Sequence, residues 1–190
     1  MDVKRAIPDM ETARELVADG RLWPLVRDFL WGEDVPCEGE SLFYDFSNPG
    51  PARIMLLDAE VLGRAAKWIG AILYAPQLRR VMDGASVRSL KASLAGVYPE
   101  VFSYVAYFRD APVPRDAGSF AGMAPEEKAA AVVSAGRAVL AGAAKDAPRP
   151  VAELFAKKLG GETEPLECDG RFVSMAFKLK FPEAYRLCFS

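Results

Sequence analysis

LDAEVLGRAAKWIGAILYAPQLRRVMDGASVRSLKASL, residues 57–94, is the stretch on which the fold turns. At roughly 100° per residue, Leu57, Val61, Leu62, Ala65, Ala66, Trp68, Ile69, Ile72 and Leu73 cover more than half of a helical circumference, leaving a stripe of Glu60, Arg64 and Lys67 for solvent. An arc that wide predicts a helix over 57–75 packed on several sides, the most buried element of a bundle. Asp58 is placed to cap it, and Glu60 to Arg64 is an i,i+4 pair in the favourable order. Pro76 interrupts the helix because it lacks an N–H and drives Ala75 out of the α region. Residues 77–82 then read as a separate turn or short helix closed by Asp83-Gly84. A second helix is expected over 86–95, with Val87, Leu90 and Leu94 on one face and Gly96 just past its end.

Arg79, Arg80, Arg88 and Lys91 place four positive charges within 13 residues around this joint, in a chain whose net charge is −2. They are the candidate partner-binding residues. The competing reading is a solvated basic face whose arginines cap helix ends and pair with local acids such as Asp83.

At 190 residues, 51% hydrophobic and 26% charged, the chain has the profile of a folded protein, and one helical domain spanning 1–190 is expected. The slightly negative charge gives no bulk attraction to nucleic acid or anionic lipid. No window approaches the roughly 18 apolar residues of a membrane span, and the first residues lack the apolar core of a signal peptide, so a cytoplasmic location is expected. Cys37, Cys168 and Cys188 are three in number, without CxxC spacing, and read as free thiols incidental to function. Histidine is absent from the chain, which removes a Ser-His-Asp or Cys-His pair and imidazole metal ligands. No phosphate-cradling glycine loop and no metal-ligand spacing stands out. No catalytic, cofactor-binding or metal site is therefore assigned.

On the N-terminal side, 8–19 and 22–31 read as helices, with Trp23 and Trp31 at the core or its edge, or else as exposed partner anchors. An irregular connection over about 32–52 follows, within which 42–46 suits a short strand or an aromatic plug. On the C-terminal side, 98–108 is an aromatic segment opened by Pro99, with Val101, Tyr104, Val105 and Phe108 on its buried face. A loop at about 110–124 is the best candidate for a mobile insertion. Residues 125–145 form an alanine-rich helix whose Ala129, Val132, Gly136, Val139 and Ala143 give a narrow face of small residues for close helix packing. A short helix over 151–159 ends at Gly160-Gly161, and the acidic residues after it read as a solvated loop rather than a calcium site. Finally, Val173, Met175, Phe177, Leu179 and Phe181 alternate with Ser174, Ala176, Lys178 and Lys180, a strand pattern by residue period, before a helical turn over 182–187.

Residues 68–90, WIGAILYAPQLRRVMDGASVRSL, and the closing FPEAYRLCF of 181–189 resemble the SctK family (YscK, PscK, OrgA and MxiK types) of accessory proteins of the type III secretion sorting platform. The resemblance lies in an apolar helix, paired arginines, an Asp-Gly turn and a following amphipathic helix. It implies an all-α, mainly helical fold, with helix rather than strand over 171–180. It also implies a cytoplasmic, non-catalytic adaptor without a cofactor, peripheral to the inner membrane, which links the cytoplasmic domain of the inner-membrane ring protein to the platform's pod protein. The alternatives are another helical interaction module, such as a secretion chaperone or regulatory domain, and an enzyme with a carboxylate- or cysteine-based site.

Overall fold

The computed structural model describes Phe46, residues 48–161 and residues 163–190. Among these residues there are α-helices, 3₁₀ turns and loops, and no strand, so the fold is all-α. The helices expected over 8–19 and 22–31, together with Trp23, Trp31 and Cys37, lie outside the described residues, as does most of the proposed 42–46 strand. Phe46 itself is buried and not in a strand.

Helix α1, Ala59–Leu73, is the axis of the bundle. Asp58 caps it by accepting from the Val61 N–H at 2.6 Å, which satisfies one of the free donors of the first turn. Every residue from Trp68 to Leu73 is buried, as the wide apolar arc requires. Before α1, a 3₁₀ turn over Pro51–Leu56 buries Ile54, Met55 and Leu56. After it, Pro76 sits in the first turn of a four-residue helix α2, Ala75–Leu78, where its missing N–H costs nothing. Helix α3, Gly84–Ser93, begins two residues earlier than expected because Asp83 caps it.

Helix α4, Pro125–Ala141, is α1's main partner. Gly70 meets Val132 while Gly136 meets Ala66, so the two helices cross antiparallel. At both points the backbones touch so closely that only glycine fits. The face of small residues predicted on α4 is spent inside the fold: Ala129, Val132, Gly136 and Val139 are buried, and Ala143 is half-buried in the 3₁₀ turn that follows.

Helix α5, Arg149–Leu159, ends at Gly160, whose φ of 94° is the left-handed conformation that glycine adopts without strain. It packs on α1, and its Lys158 ammonium donates to the Met55 carbonyl at 3.0 Å. Burial lowers the Lys158 pKa to about 8, against an opposing pull from Asp58. Between pH 8 and 10.5 the unfolded chain holds a proton that the folded chain has released, so this group adds stability as pH rises through that window. Urea titrations of wild type and Lys158→Met at pH 7.5 and pH 10 should show wild type gaining on the variant at the higher pH. A pH-independent difference would place the ammonium in water.

Helices α6, Gly170–Lys180, and α7, Pro182–Phe189, close the bundle. Here the period-2 reading of 173–181 is overturned, and the helix implied by the family resemblance is found. Phe172, Val173, Ala176 and Phe177 form the buried face, while Met175 is 38% exposed and Lys178 lies in solvent. A strand needs a neighbour to bond its N–H and C=O groups, and among the described residues none exists; a helix bonds them internally. Asp169, accepting from the Arg171 N–H at 2.9 Å, supplies the start signal.

Two further expectations are corrected. Residues 98–108 form two 3₁₀ turns, Glu100–Ser103 and Val105–Tyr107, with Val101 and Phe108 buried but Tyr104 and Val105 only half-buried. Their aromatics are drawn to separate anchors, Tyr104 to Trp68 and Phe108 to Phe172, and aromatic and β-branched residues have little helix propensity to resist that. The 110–124 loop is fastened to the core rather than free. Phe120 is 1% exposed against Tyr74, and the Tyr74 hydroxyl donates to Asp116. Burial, and then Asp116, push the Tyr74 pKa well above the usual phenol value.

Candidate partner-binding surface

The joint between α2 and α3 is built from the inside outward. Asp83 accepts from the Ser86 N–H at 2.7 Å, and Lys128 of α4 donates to the Ser86 hydroxyl at 2.9 Å, with its ammonium 3.8 Å from Asp83. The Ser86 N–H, then its hydroxyl, and more weakly the Lys128 charge hold the Asp83 carboxyl below the usual range. Lys128 is only 6% exposed, so α4 reaches through the fold to pin this turn from beneath. Ser89 adds a second tie, donating to the Pro125 carbonyl at 3.2 Å.

Arg79, Arg80, Arg88 and Lys91 are all exposed. They do not form one cluster of equivalent charges. Arg79 lies over Phe102, its guanidinium carbon 5.6 Å from the ring centroid, a cation–π contact worth about 0.5–1 kcal/mol at an exposed site. Arg80 lines a cleft shared with the 117–121 turn. Arg88 lies back along Gly84 in the first turn of α3, and Lys91 lies on the solvent side of the same helix, whose Leu90 is buried. Asp83, the natural local counter-ion, is taken by Ser86 and Lys128. Among the described residues no ion pair reaches any of the four.

Sequence reasoning missed Lys128 and Met82. Lys128 stands four residues before Val132, on the α4 face that packs inward, and that spacing was the signal for a buried lysine. Met82, beside Asp83, is 92% exposed, which no periodicity indicates. Elsewhere, Cys188 is buried and its thiol is pushed up to about 12, chiefly by burial, while half-buried Cys168 is raised for the same reason. Neither is an activated thiolate. Among the described residues no group of three or more carboxylate or thiol side chains could hold a metal ion, and no helix is long and apolar enough to cross a membrane.

The described chain is thus an all-α protein in which four exposed cations, Arg79, Arg80, Arg88 and Lys91, surround one internally braced turn. It belongs to the YscK family, whose model, described as YOP proteins translocation protein K (YscK), matches residues 37–187. The protein is therefore a type III secretion component, and the resemblance carried by 68–90 and 181–189 is borne out. No curated protein and no solved structure matches the chain.

Proposed function

We propose that this chain is a non-catalytic, single-domain adaptor of the type III secretion sorting platform. In this reading it lies on the cytoplasmic side, peripheral to the inner membrane, and links the cytoplasmic domain of the ring protein to the pod protein. Family membership over 37–187 supports the apparatus, and the exposed cations at the α2–α3 joint support a protein-binding surface there. Their lack of intramolecular counter-ions among the described residues is the observation that carries the reading. Unpaired surface charge does little for stability, yet it accelerates encounter with an acidic partner and selects against a basic one.

The test is calorimetric titration of the purified ring domain and the pod protein into wild type and into Arg79→Glu/Arg88→Glu. Affinity for at least one partner should fall tenfold or more, and wild-type association should slow as salt rises. Thermal stability should drop only by the Arg79–Phe102 contact, about 0.5–1 kcal/mol, with an unchanged circular dichroism spectrum. Wild-type affinity for both partners in the double variant would return the four residues to a solvated face. Recovery of a single exported client from native cells, in place of apparatus components, would make the protein a secretion chaperone.

A further inference from the structure

Between the α2–α3 joint and the 117–121 turn lies a cleft of about 410 Å³. Phe120, 1% exposed, and Lys128, 6% exposed, lie at its base; Gln77, Arg80 and Asp83 line it, and Met82 stands at its rim with 92% of its surface in water. Three features call for an occupant of one kind. Arg80 has no ion pair among the described residues, because Asp83 is already held by the Ser86 N–H and by Lys128. The two cations and one carboxylate of the cleft leave one positive charge over, with Arg79 and Arg88 close by in the chain. Met82 is a large, adaptable apolar side chain held out next to a recess whose base is aromatic, an arrangement suited to gripping an apolar side chain.

We propose that this cleft receives an acidic peptide segment of a partner protein, with an apolar side chain set against Met82 and Phe120 and a carboxylate on Arg80. The identity of the partner rests on the adaptor reading; the chemistry of the segment does not. The volume holds one or two side chains rather than a folded domain, so the segment enters as an extended strip or a helix end. A nucleic acid would meet a chain of net charge −2. An anionic membrane would need a broad flat basic face, whereas here the charge surrounds a recess with a carboxylate in its wall.

The probe is a short synthetic peptide with glutamates on both sides of one leucine, titrated into full-length protein carrying ¹³C-methyl methionine. The Met82 methyl resonance, assigned through Met82→Leu, should move, while that of Met175, exposed on α6, stays fixed. Arg80→Glu should weaken the titration at least tenfold, and so should Met82→Asp followed by peptide fluorescence. Arg64→Glu, an exposed charge on α1, should leave it unchanged. A static Met82 resonance, equal movement of Met175, full binding by Arg80→Glu, or a Met82 shift produced by phosphatidylserine vesicles and not by the peptide would each overturn the proposal. The ring domain and pod protein, titrated into the same variants, separate the two readings. Normal binding of both by Arg80→Glu and Met82→Asp, with a silent peptide, removes the cleft and leaves the adaptor. Peptide binding by a wild type that binds neither protein removes the adaptor and leaves the cleft.

Discussion

Gly136→Ala should destabilise the protein by about 2–3 kcal/mol, although alanine is the better helix former by about 1 kcal/mol. A Cβ at Gly136 would sit 1.8 Å from the Ala66 carbonyl oxygen and 2.6 Å from its carbon, and one at Gly70 would sit 1.8 Å from the Val132 oxygen. These neighbours are backbone atoms, so no side-chain rotation relieves the clash. α1 and α4 must move apart, which opens the layer of Ala65, Ile69, Val132 and Val139 between them. Gly70→Ala should behave alike. Gly63→Ala, in the same helix α1 with no atom within 4 Å of the new Cβ, should instead gain about 0.5–1 kcal/mol. Urea midpoints of the three variants decide it, and a midpoint raised by Gly136→Ala would refute the crossing.

Trp68→Ala should cost about 3–5 kcal/mol, the range for deleting a large aromatic from a core, and could leave no folded protein to assay. Trp68 has no exposed surface, meets Tyr104 edge-to-face at 5.2 Å, and has the Lys180 ammonium 5.3 Å from its ring centroid. Glu100 pairs with that ammonium at 2.6 Å. Among the described residues the buried indole N–H has no partner, so the ring serves through its area and its face rather than through a hydrogen bond. Trp68→Phe should therefore lose much less, about 1.5 kcal/mol or under, since it also removes the unsatisfied donor. An unchanged midpoint in Trp68→Ala would put this ring on the surface and dismantle the architecture around α1.

What could be read from the residues alone follows the range of the forces involved. The α1 arc, the Asp58 cap and the Gly160 stop are local patterns, each decided within a few residues, and each is found in the structure. Residues 173–181 carried two local patterns at once, and the choice between them depended on whether another strand existed to pair with, a fact about the rest of the fold. Gly70 and Gly136 look like stray glycines until it is known which helices cross, and at what height. The candidate surface divides the same way. Its four charges were plain in the sequence, but their freedom from Asp83 was not, because the group that claims Asp83 from below is Lys128, 45 residues further on. The different surroundings of Arg79 and Arg80 likewise depend on Phe102 and Phe120, supplied by segments that had been read as a helical stripe and a loose loop.

The hydrogen bonds between the start and end of the described chain set the order in which the molecule can be made. The Gly50 N–H donates to the Cys188 carbonyl at 2.7 Å, and the Arg53 guanidinium to the Leu187 carbonyl at 3.2 Å across 134 positions. Closing a loop of that length in an otherwise open chain costs about 4 kcal/mol in chain entropy beyond a fixed constant, and contacts made earlier in the chain, between α1 and α4 and between this turn and residues 142–144, shorten the loop first. On the ribosome, α1 and α4 can meet as soon as both have emerged, and the turn ahead of α1 then gains its partners in steps, the 142–144 turn, Lys158 and α6 first and residues 187 and 188 last. Until the last of them arrives, the apolar surface of Ile54, Met55 and Leu56 is only partly covered, so the nascent chain passes through a stage at which a holdase has something to bind.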